Sequence, residues 1–105
     1  MLTEADTYKA VCQAARWQIP EHFNMGVDVC DKHAAATPDQ TALIVAEASG
    51  DSIRYSFAAL KELSDKFANV LVGLGLERGD RFAILLSQSV ETAIAHSAAW
   101  KAGLV

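Results

Sequence analysis

A continuous apolar run, Phe82-Ala83-Ile84-Leu85-Leu86, constrains the fold more than any other feature of the sequence. Apolar residues that do not alternate with polar ones are typical of a strand covered on both faces in a parallel sheet. The run follows a tight turn at 77–80 and precedes a predicted helix from about Val90 to Gly103, after which 104–105 begin another apolar segment. A strand, a crossover helix and the beginning of a second apolar segment make up two thirds of a right-handed βαβ unit. We therefore predict an α/β fold class with an incomplete parallel βαβ unit.

A small hairpin is predicted upstream of this unit. Thr41 to Ala46 is apolar and β-branched at its centre, and Ser52 to Tyr55 is a second short strand. The residues Ser49-Gly50-Asp51 between them are of types that favour a turn. Two short strands joined by a Gly-containing loop are typical of a hairpin.

The clearest predicted element is a helix of about 18 residues that follows the hairpin. Ser56 is its N-cap. Gly75 stands where a left-handed residue ends a helix, and Leu76 is placed to contact Leu71 in a Schellman ending. The expected apolar stripe is Leu60, Leu63, Phe67, Val70, Leu71 and Leu74, and the expected polar side is Lys61, Glu62, Asp65 and Lys66.

Two further helices are predicted towards the N-terminus. The first runs from Thr3, its expected cap, to about Arg16. The second runs from about Met25 to Ala35 with Asn24 as its N-cap. Its apolar positions recur at helical spacing and are Phe23, Val27, Cys30 and Ala34.

Composition excludes several classes of protein. The chain has 105 residues, 51% of them hydrophobic, and a formal charge of −4, which argues against a nucleic-acid partner. Its apolar runs are too short for a membrane span, and its acidic start has no signal-peptide pattern, so a cytoplasmic location is expected. Cys12 and Cys30 form no CxxC pair and are interpreted as small buried hydrophobic residues.

Motifs for phosphate or metal chemistry are weak. Gly73, Gly75 and Gly79 close a helix and open a strand, whereas a dinucleotide fingerprint follows a strand and opens a helix. Ser87-Gln88-Ser89 has the right topology for an anion but no glycine, so we interpret it as a structural N-cap.

The histidines and tryptophans also offer no site. His22, His33 and His96 have no ligand partner at helical spacing, so a zinc site is not expected, and His96 is interpreted as a surface or boundary residue. Trp17 and Trp100 are interpreted as packing residues. The sequence therefore predicts no catalytic residue, no cofactor-binding residue and no metal ligand.

From Phe23 onward the sequence resembles the adenylate-forming (AMP-binding) enzymes of the acyl-CoA synthetase type. The segments that carry the resemblance are Phe23-Asn24, Val27-Asp28-Val29-Cys30, Thr37-Pro38-Asp39, Ala42-Leu43-Ile44, Arg54-Tyr55-Ser56-Phe57 with Leu60, Gly79-Asp80-Arg81, and Trp100-Lys101-Ala102-Gly103. Ala59, Phe82 and Ser87 depart from the residues that are usual in the family, at structural positions. The resemblance implies that residues 1–22 are a helical extension and that residues 23–105 are the truncated start of the AMP-binding N-terminal domain.

What the resemblance implies chemically is a two-step ligase. A carboxylate attacks ATP to give an acyl-adenylate and pyrophosphate, and the thiol of CoA then displaces AMP. ATP, Mg²⁺ and CoA are therefore expected for full-length members, whose phosphate loop and catalytic lysine lie downstream of the segments present here. This chain alone is expected to bind none of them and to be inactive.

The sequence supports two hypotheses about what this chain binds. As an N-terminal segment of a synthetase, it is expected to pair with the remainder of the enzyme. As a free-standing, non-catalytic α/β interaction module, it is expected to self-associate through its apolar C-terminal edge, because one strand cannot bury both of its edges unaided.

Overall fold

A computed structural model describes residues 7–15, 20–47 and 49–105. In chain order its elements are α1 (Tyr8–Ala14), a π-helical turn (Val27–Asp31), α2 (Lys32–Ala36), β1 (Thr41–Ala46), β2 (Ser52–Ser56), α3 (Phe57–Gly73) and α4 (Val90–Ala102). No helix within these ranges combines the length and the apolar character that crossing a membrane requires. The predicted α/β fold class is confirmed: a hairpin is combined with helices that pack beside it.

The hairpin forms as predicted, with β2 one residue longer than expected. β1 and β2 pair antiparallel, with Val45 opposite Ile53 and Ala46 opposite Ser52. The ladder has an irregularity between Thr41 and Leu43. The turn uses Gly50 at φ 93°, a left-handed conformation that glycine adopts without a steric penalty.

The predicted signals at both ends of α3 are confirmed. At its start, Ser56 Oγ accepts a hydrogen bond from the Ala59 N–H at 3.2 Å. At its end, Gly75 has φ 92°, and the Leu76 N–H donates to the Leu71 carbonyl oxygen at 3.3 Å. This is the Schellman ending, which fixes the direction in which the chain leaves the helix.

The core lies between α3 and α4. Four buried residues form its centre: Leu71, Ala98, Ala99 and Leu104. Half-buried side chains surround them, namely Phe67, Ala68, Leu76, Phe82 and Ala102. Small alanines on α4 let the two helix backbones approach, so that Leu71 and Leu104 fill the space between them.

The predicted apolar stripe of α3 is wrong at two positions. Val70 is 52% exposed and Leu74 is 73% exposed, whereas Ser64 is fully buried. Ser64 lies where α3 faces both α4 and the π-turn, and its hydroxyl donates to the Leu60 carbonyl oxygen at 2.7 Å. The predicted polar side is also incomplete, because Asp65 turns inward toward α4.

The predicted strand at 81–86 does not form as a strand. Phe82 and Ile84 are half-buried, but Leu85 is 98% exposed and Leu86 is 54% exposed. The α3–α4 layer covers one face of the run, and nothing within the described ranges covers the opposite face. The reason is physical: a parallel strand needs a neighbour along its whole length, and here pairing stops at Phe82.

The N-terminal helices begin and end differently from the prediction. Thr7 is the N-cap of α1, with its Oγ1 accepting from the Ala10 N–H at 3.2 Å, so the helix starts at Tyr8. The predicted cap Thr3 lies outside the described residues, as does Trp17. Phe23, expected on an apolar helical face, is 58% exposed.

The second predicted helix is interrupted by the π-turn. Asn24 caps it as predicted, because its Oδ1 accepts from the Val27 N–H at 3.1 Å. The wider π-turn shifts the buried positions, so Gly26 and Cys30 face inward while Val27 is 39% exposed. Single π-turns within helices often occur at functional sites, and this one faces the polar cluster described next.

Candidate functional site

A buried ionic cluster is centred on Lys101, in the last turn of α4. Its side chain is only 8% exposed. The ammonium donates to Ser64 Oγ at 2.8 Å and to Asp65 Oδ1 at 2.6 Å, and it lies 2.6 Å from Asp31 Oδ1. We call these four residues the Lys101 cluster. It joins the π-turn, α3 and α4 at one point.

The electrostatics of the cluster act on the carboxyl group of Asp65. Burial raises the pKa of Asp65, but hydrogen bonds from Lys101 and Lys61 outweigh this effect, so the pKa of Asp65 lies below its ordinary value. Asp31 Oδ1 is buried and accepts no hydrogen bond in the described part of the chain, so the ammonium 2.6 Å away acts on it by charge alone. Lys101 therefore compensates Asp31 and shares Asp65 with Lys61, and its removal is costly because it leaves a partly buried carboxylate unpaired.

The thiol of Cys30 lies against this cluster and is fully buried. Burial raises its pKa, and the nearby positive charge of Lys101 offsets this only in part. A thiol that stays protonated is a poor nucleophile and a poor metal ligand. Cys30 is thus a buried packing residue, as predicted. The same prediction is wrong for Cys12, which is exposed because no other element covers that side of α1 in the described ranges.

Gly26 explains how the π-turn comes so close to α4. A Cβ atom added there would lie 2.6 Å from Lys101 Cγ and 2.9 Å from the Ser97 carbonyl oxygen. Only glycine fits at that distance without displacing α4. Asn24 adds a further link, since its Nδ2 donates to the Lys101 carbonyl oxygen at 3.0 Å.

The chemical capacity of the Lys101 cluster follows from its contacts. The ammonium donates to Ser64 and Asp65 and lies beside the buried Oδ1 of Asp31, so oxygen atoms of the protein surround it. The cluster therefore acts as a structural connection between three helical elements. Lys101 was singled out in the sequence only as part of a resemblance. Two signals in the sequence could have predicted the Lys101 cluster. One is a lysine in a helix that is otherwise rich in alanine, and the other is a serine within the apolar stripe of α3.

Two grooves border the apolar run 82–86. The first, about 580 Å³, lies between the run, α3 and α4, and its lining includes Phe67, Ile94 and Ala95. The second, about 340 Å³, lies over a neighbouring face of α4 and is lined by Phe82, Ile84, Leu86, Thr92, His96, Ala99, Trp100, Leu104 and Val105. We call the second one the α4 groove.

The glycines, serines and histidine that the sequence analysis assigned to structural roles lie apart from one another. The Gly79 N–H donates to the Gly103 carbonyl oxygen at 2.9 Å, so this glycine serves the turn. Ser89 is the N-cap residue of α4 by position, although its side chain makes no capping hydrogen bond. His96 is exposed, as predicted, with its ring 5.6 Å from that of Trp100.

Metal ligands are likewise not assembled in the described ranges. These ranges contain no group of three or more His, Cys, Asp or Glu side chains that could hold a metal ion. His33 is exposed and stacks on Phe57, with ring centroids 4.8 Å apart.

Comparisons with known proteins identify the family. A sequence model described as "AMP-binding enzyme" matches residues 30–105. The mitochondrial acyl-coenzyme A synthetase ACSM3 of Pongo abelii is 35% identical over 93% of this chain, which corresponds to 18% of that relative. The acetyl-coenzyme A synthetase of Streptomyces coelicolor is 37% identical over 85% of this chain and 14% of that relative.

A solved structure supports the same fold. The crystal structure of a Brucella canis acyl-CoA synthetase superposes with a TM-score of 0.72 at 24% identity, covering 79% of this chain and 15% of that one. The chain thus spans less than a fifth of the length of the curated relatives it matches. Because the family model matches most of the sequence, as the segments from Phe23 onward indicated, this chain belongs to the AMP-binding enzyme family.

Proposed function

We propose that this chain is the N-terminal scaffold portion of an ATP-dependent acyl-CoA synthetase. The whole enzyme would join a carboxylic acid to CoA through an acyl-adenylate, using ATP and Mg²⁺ and releasing AMP and pyrophosphate. The observation that carries the proposal is the family match over residues 30–105, together with two synthetase relatives more than a third identical to the chain.

The role of this portion is structural. Within the described ranges the Lys101 cluster joins three elements through contacts inside the chain, and no set of side chains that could hold a metal ion is assembled. We assign residues 23–105 to the start of the AMP-binding domain and residues 1–22 to a helical extension. The hydrogen bond from Asn24 to Lys101 supports this boundary, because it ties the chain to α4 from residue 24 onward.

Exchange of radiolabelled pyrophosphate into ATP tests the inactive state of the chain. The purified chain, shown to be helical by circular dichroism, is expected to give no exchange that depends on an added carboxylic acid. Acetate, butyrate and benzoate are suitable probes. Exchange that co-purifies with the chain through two chromatographic steps would overturn the proposal.

A chimera tests the scaffold role directly. Residues 23–105 replace the corresponding segment of the Streptomyces coelicolor acetyl-coenzyme A synthetase, and the chimera is expected to keep acetate-dependent exchange. A chimera that folds as well as its parent but has lost exchange would contradict the scaffold role.

A second candidate function is a free-standing interaction module that self-associates. The observation in its favour is the exposed apolar surface around Leu85, 98% exposed, and Val105, 76% exposed. Sedimentation velocity over a hundredfold concentration range distinguishes the candidates, since a chain that stays monomeric contradicts the second.

For either candidate we propose a cytoplasmic location, which the two free cysteines support.

A further inference from the structure

We propose that a cleft beside Arg78 binds a small aryl anion, a ligand with a flat apolar body and one negative group. The cleft has a volume of about 740 Å³, within the range of about 300–1,000 Å³ that is usual for small-molecule sites. Residues 22–25 form one wall, the end of α4 with Trp100 forms the other, and Arg78 completes the lining. We call this site the Arg78 cleft. The inference does not rest on acyl-CoA chemistry, because described residues line the cleft and its test contains no ATP.

The charge of the lining carries the proposal. The chain has 13 acidic and nine basic residues, yet no acidic residue is among the described residues that line the cleft. Lys101 also borders the cleft, but its ammonium already pairs with Asp31 and Asp65. The guanidinium of Arg78 makes no ion pair and no hydrogen bond within the described ranges, so its five N–H donors have no protein acceptor there. An anion is the charge complement of such a lining.

The turn that carries Arg78 holds this residue in position. The Gly79 N–H donates to the Gly103 carbonyl oxygen at 2.9 Å, which ties the turn to the end of α4. The carboxylate of Asp80 accepts from the Glu77 N–H at 2.7 Å, so it serves the turn and not the guanidinium. A Cβ atom added to Gly103 would lie 3.0 Å from Cγ and 3.6 Å from Cδ of Arg78. The arginine stem therefore lies across this glycine, and less side-chain freedom is lost when the guanidinium binds a ligand.

Aromatic and apolar side chains supply a surface for the body of the ligand. Phe23 is 58% exposed and Met25 is 48% exposed, although both are large hydrophobic residues. Trp100 is half-buried and lies between the Arg78 cleft and the α4 groove, because it lines both. Asn24 joins the two walls through its hydrogen bond to the Lys101 carbonyl oxygen. A flat ring can stack on an aromatic side chain while its carboxylate accepts two hydrogen bonds from a guanidinium, so an aryl anion fits both parts of the cleft.

An NMR titration tests the Arg78 cleft. The probe is 2-naphthoate, and the matched control probe is 2-naphthalenemethanol, which keeps the rings but has no charge. Binding to the isotope-labelled chain is followed at the indole N–H of Trp100 and the backbone amide of Gly103. For a ligand of this size we expect 2-naphthoate to bind with a Kd of about 1 mM or tighter. The neutral probe is expected to bind about tenfold more weakly or worse, because it forms no charge-assisted hydrogen bond with Arg78.

Two arginine variants locate the site. Arg78→Met keeps much of the stem that lies on Gly103 but removes the guanidinium, and we expect it to weaken the binding of 2-naphthoate by about tenfold. The control is Arg81→Met, because Arg81 is exposed and unpaired in the described ranges but does not line the cleft. Its affinity is expected to stay within about twofold of the wild type, since a distant exposed charge is screened by salt. The comparison of the two probes needs no variant, so it tests the charge even if Arg78→Met folds poorly.

Four outcomes would overturn the proposal. Equal affinities of 2-naphthoate and 2-naphthalenemethanol would exclude recognition of an anion. Equal weakening by Arg78→Met and Arg81→Met would mean a general effect of charge and no site at Arg78. Octanoate that binds as tightly as 2-naphthoate would exclude a preference for a flat ring. The absence of any shift at Trp100 and Gly103 with 2-naphthoate up to about 20 mM would exclude the cleft itself.

Discussion

Replacing Lys101 by methionine tests the structural role that we assign to the Lys101 cluster. Lys101→Met keeps most of the apolar side chain but removes the ammonium that compensates Asp31 and Asp65. Breaking a buried ion pair by removing one partner costs about 3–5 kcal/mol. The two carboxylate side chains remain 23% and 38% exposed, so water relieves part of that cost. We expect the free energy of unfolding to fall by about 2–3 kcal/mol.

Thermal and urea denaturation followed by circular dichroism measures this loss. For a domain of this size, 1 kcal/mol shifts the Tm by about 4–8 °C, so the expected decrease is about 10–20 °C. The control is Lys66→Met, which breaks an exposed pair with Glu62 whose side chains are 69% and 66% exposed. Exposed helix pairs of this kind contribute little to stability, so we expect only a small change in the Tm.

The comparison between the two variants decides the matter. If Lys101→Met and Lys66→Met lower the Tm equally, the buried cluster contributes no more than a surface pair and our reasoning is refuted. A double variant, Lys101→Met with Asp31→Asn, removes the carboxylate that loses its ion pair, since Asp65 keeps its pair with Lys61, and we expect it to recover about 1 kcal/mol of the loss. A double variant less stable than the single one would also contradict the electrostatic origin.

Three further predictions follow from the same contacts. Pairing lowers the pKa of Asp65 below its ordinary 3.8, so the stabilisation of the folded chain by this carboxylate is fully present above about pH 4 and is lost as the pH falls through the lowered pKa. Between about pH 6 and pH 2.5 the midpoint of urea denaturation should therefore fall less steeply for Asp65→Asn than for the wild type. Parallel plots of midpoint against pH would contradict this. Gly26→Ala should lower the free energy of unfolding by about 1–3 kcal/mol, because the added Cβ overpacks against α4. Gly73→Ala has open space at its Cβ and should be neutral or stabilising by up to about 1 kcal/mol. Equal urea midpoints for the two variants would refute the close approach of Gly26 to α4. Leu85→Lys should leave the Tm within about 3 °C of the wild type, since the side chain is 98% exposed, and a larger loss in a thermal melt would mean that this residue is covered.

Local signals explain what could be predicted from the sequence. The caps of α3, the glycine that ends it and the turn of the hairpin are each decided within a few residues, so their chemistry is visible in the sequence. Ser56 and Gly75 each have a role that no distant contact alters. The family was likewise recognisable, because scaffold segments recur at a characteristic spacing along the chain.

Long-range contacts explain what could not be predicted. Lys101 bonds to Ser64 and Asp65, which lie 37 and 36 positions away, and helical periodicity placed Asp65 on the polar side of α3. The π-turn arises where Gly26 must approach α4, which depends on tertiary packing. The apolar run 82–86 was predicted as a strand from its composition, but a strand also requires a paired neighbour. Among the described residues, Val105 alone bonds to the backbone of this run.

The hydrogen bond between Asn24 and Lys101 also sets an order of events during synthesis. The two residues are 77 positions apart, and a ribosome adds about 5–20 residues each second. Asn24 therefore waits roughly 4–15 s for its acceptor to be made. During that interval the π-turn can form neither its close contact with α4 nor its ion pair with Lys101. The hairpin and α3 can close first, so the N-terminal segment completes its contacts with α4 only after those elements have formed.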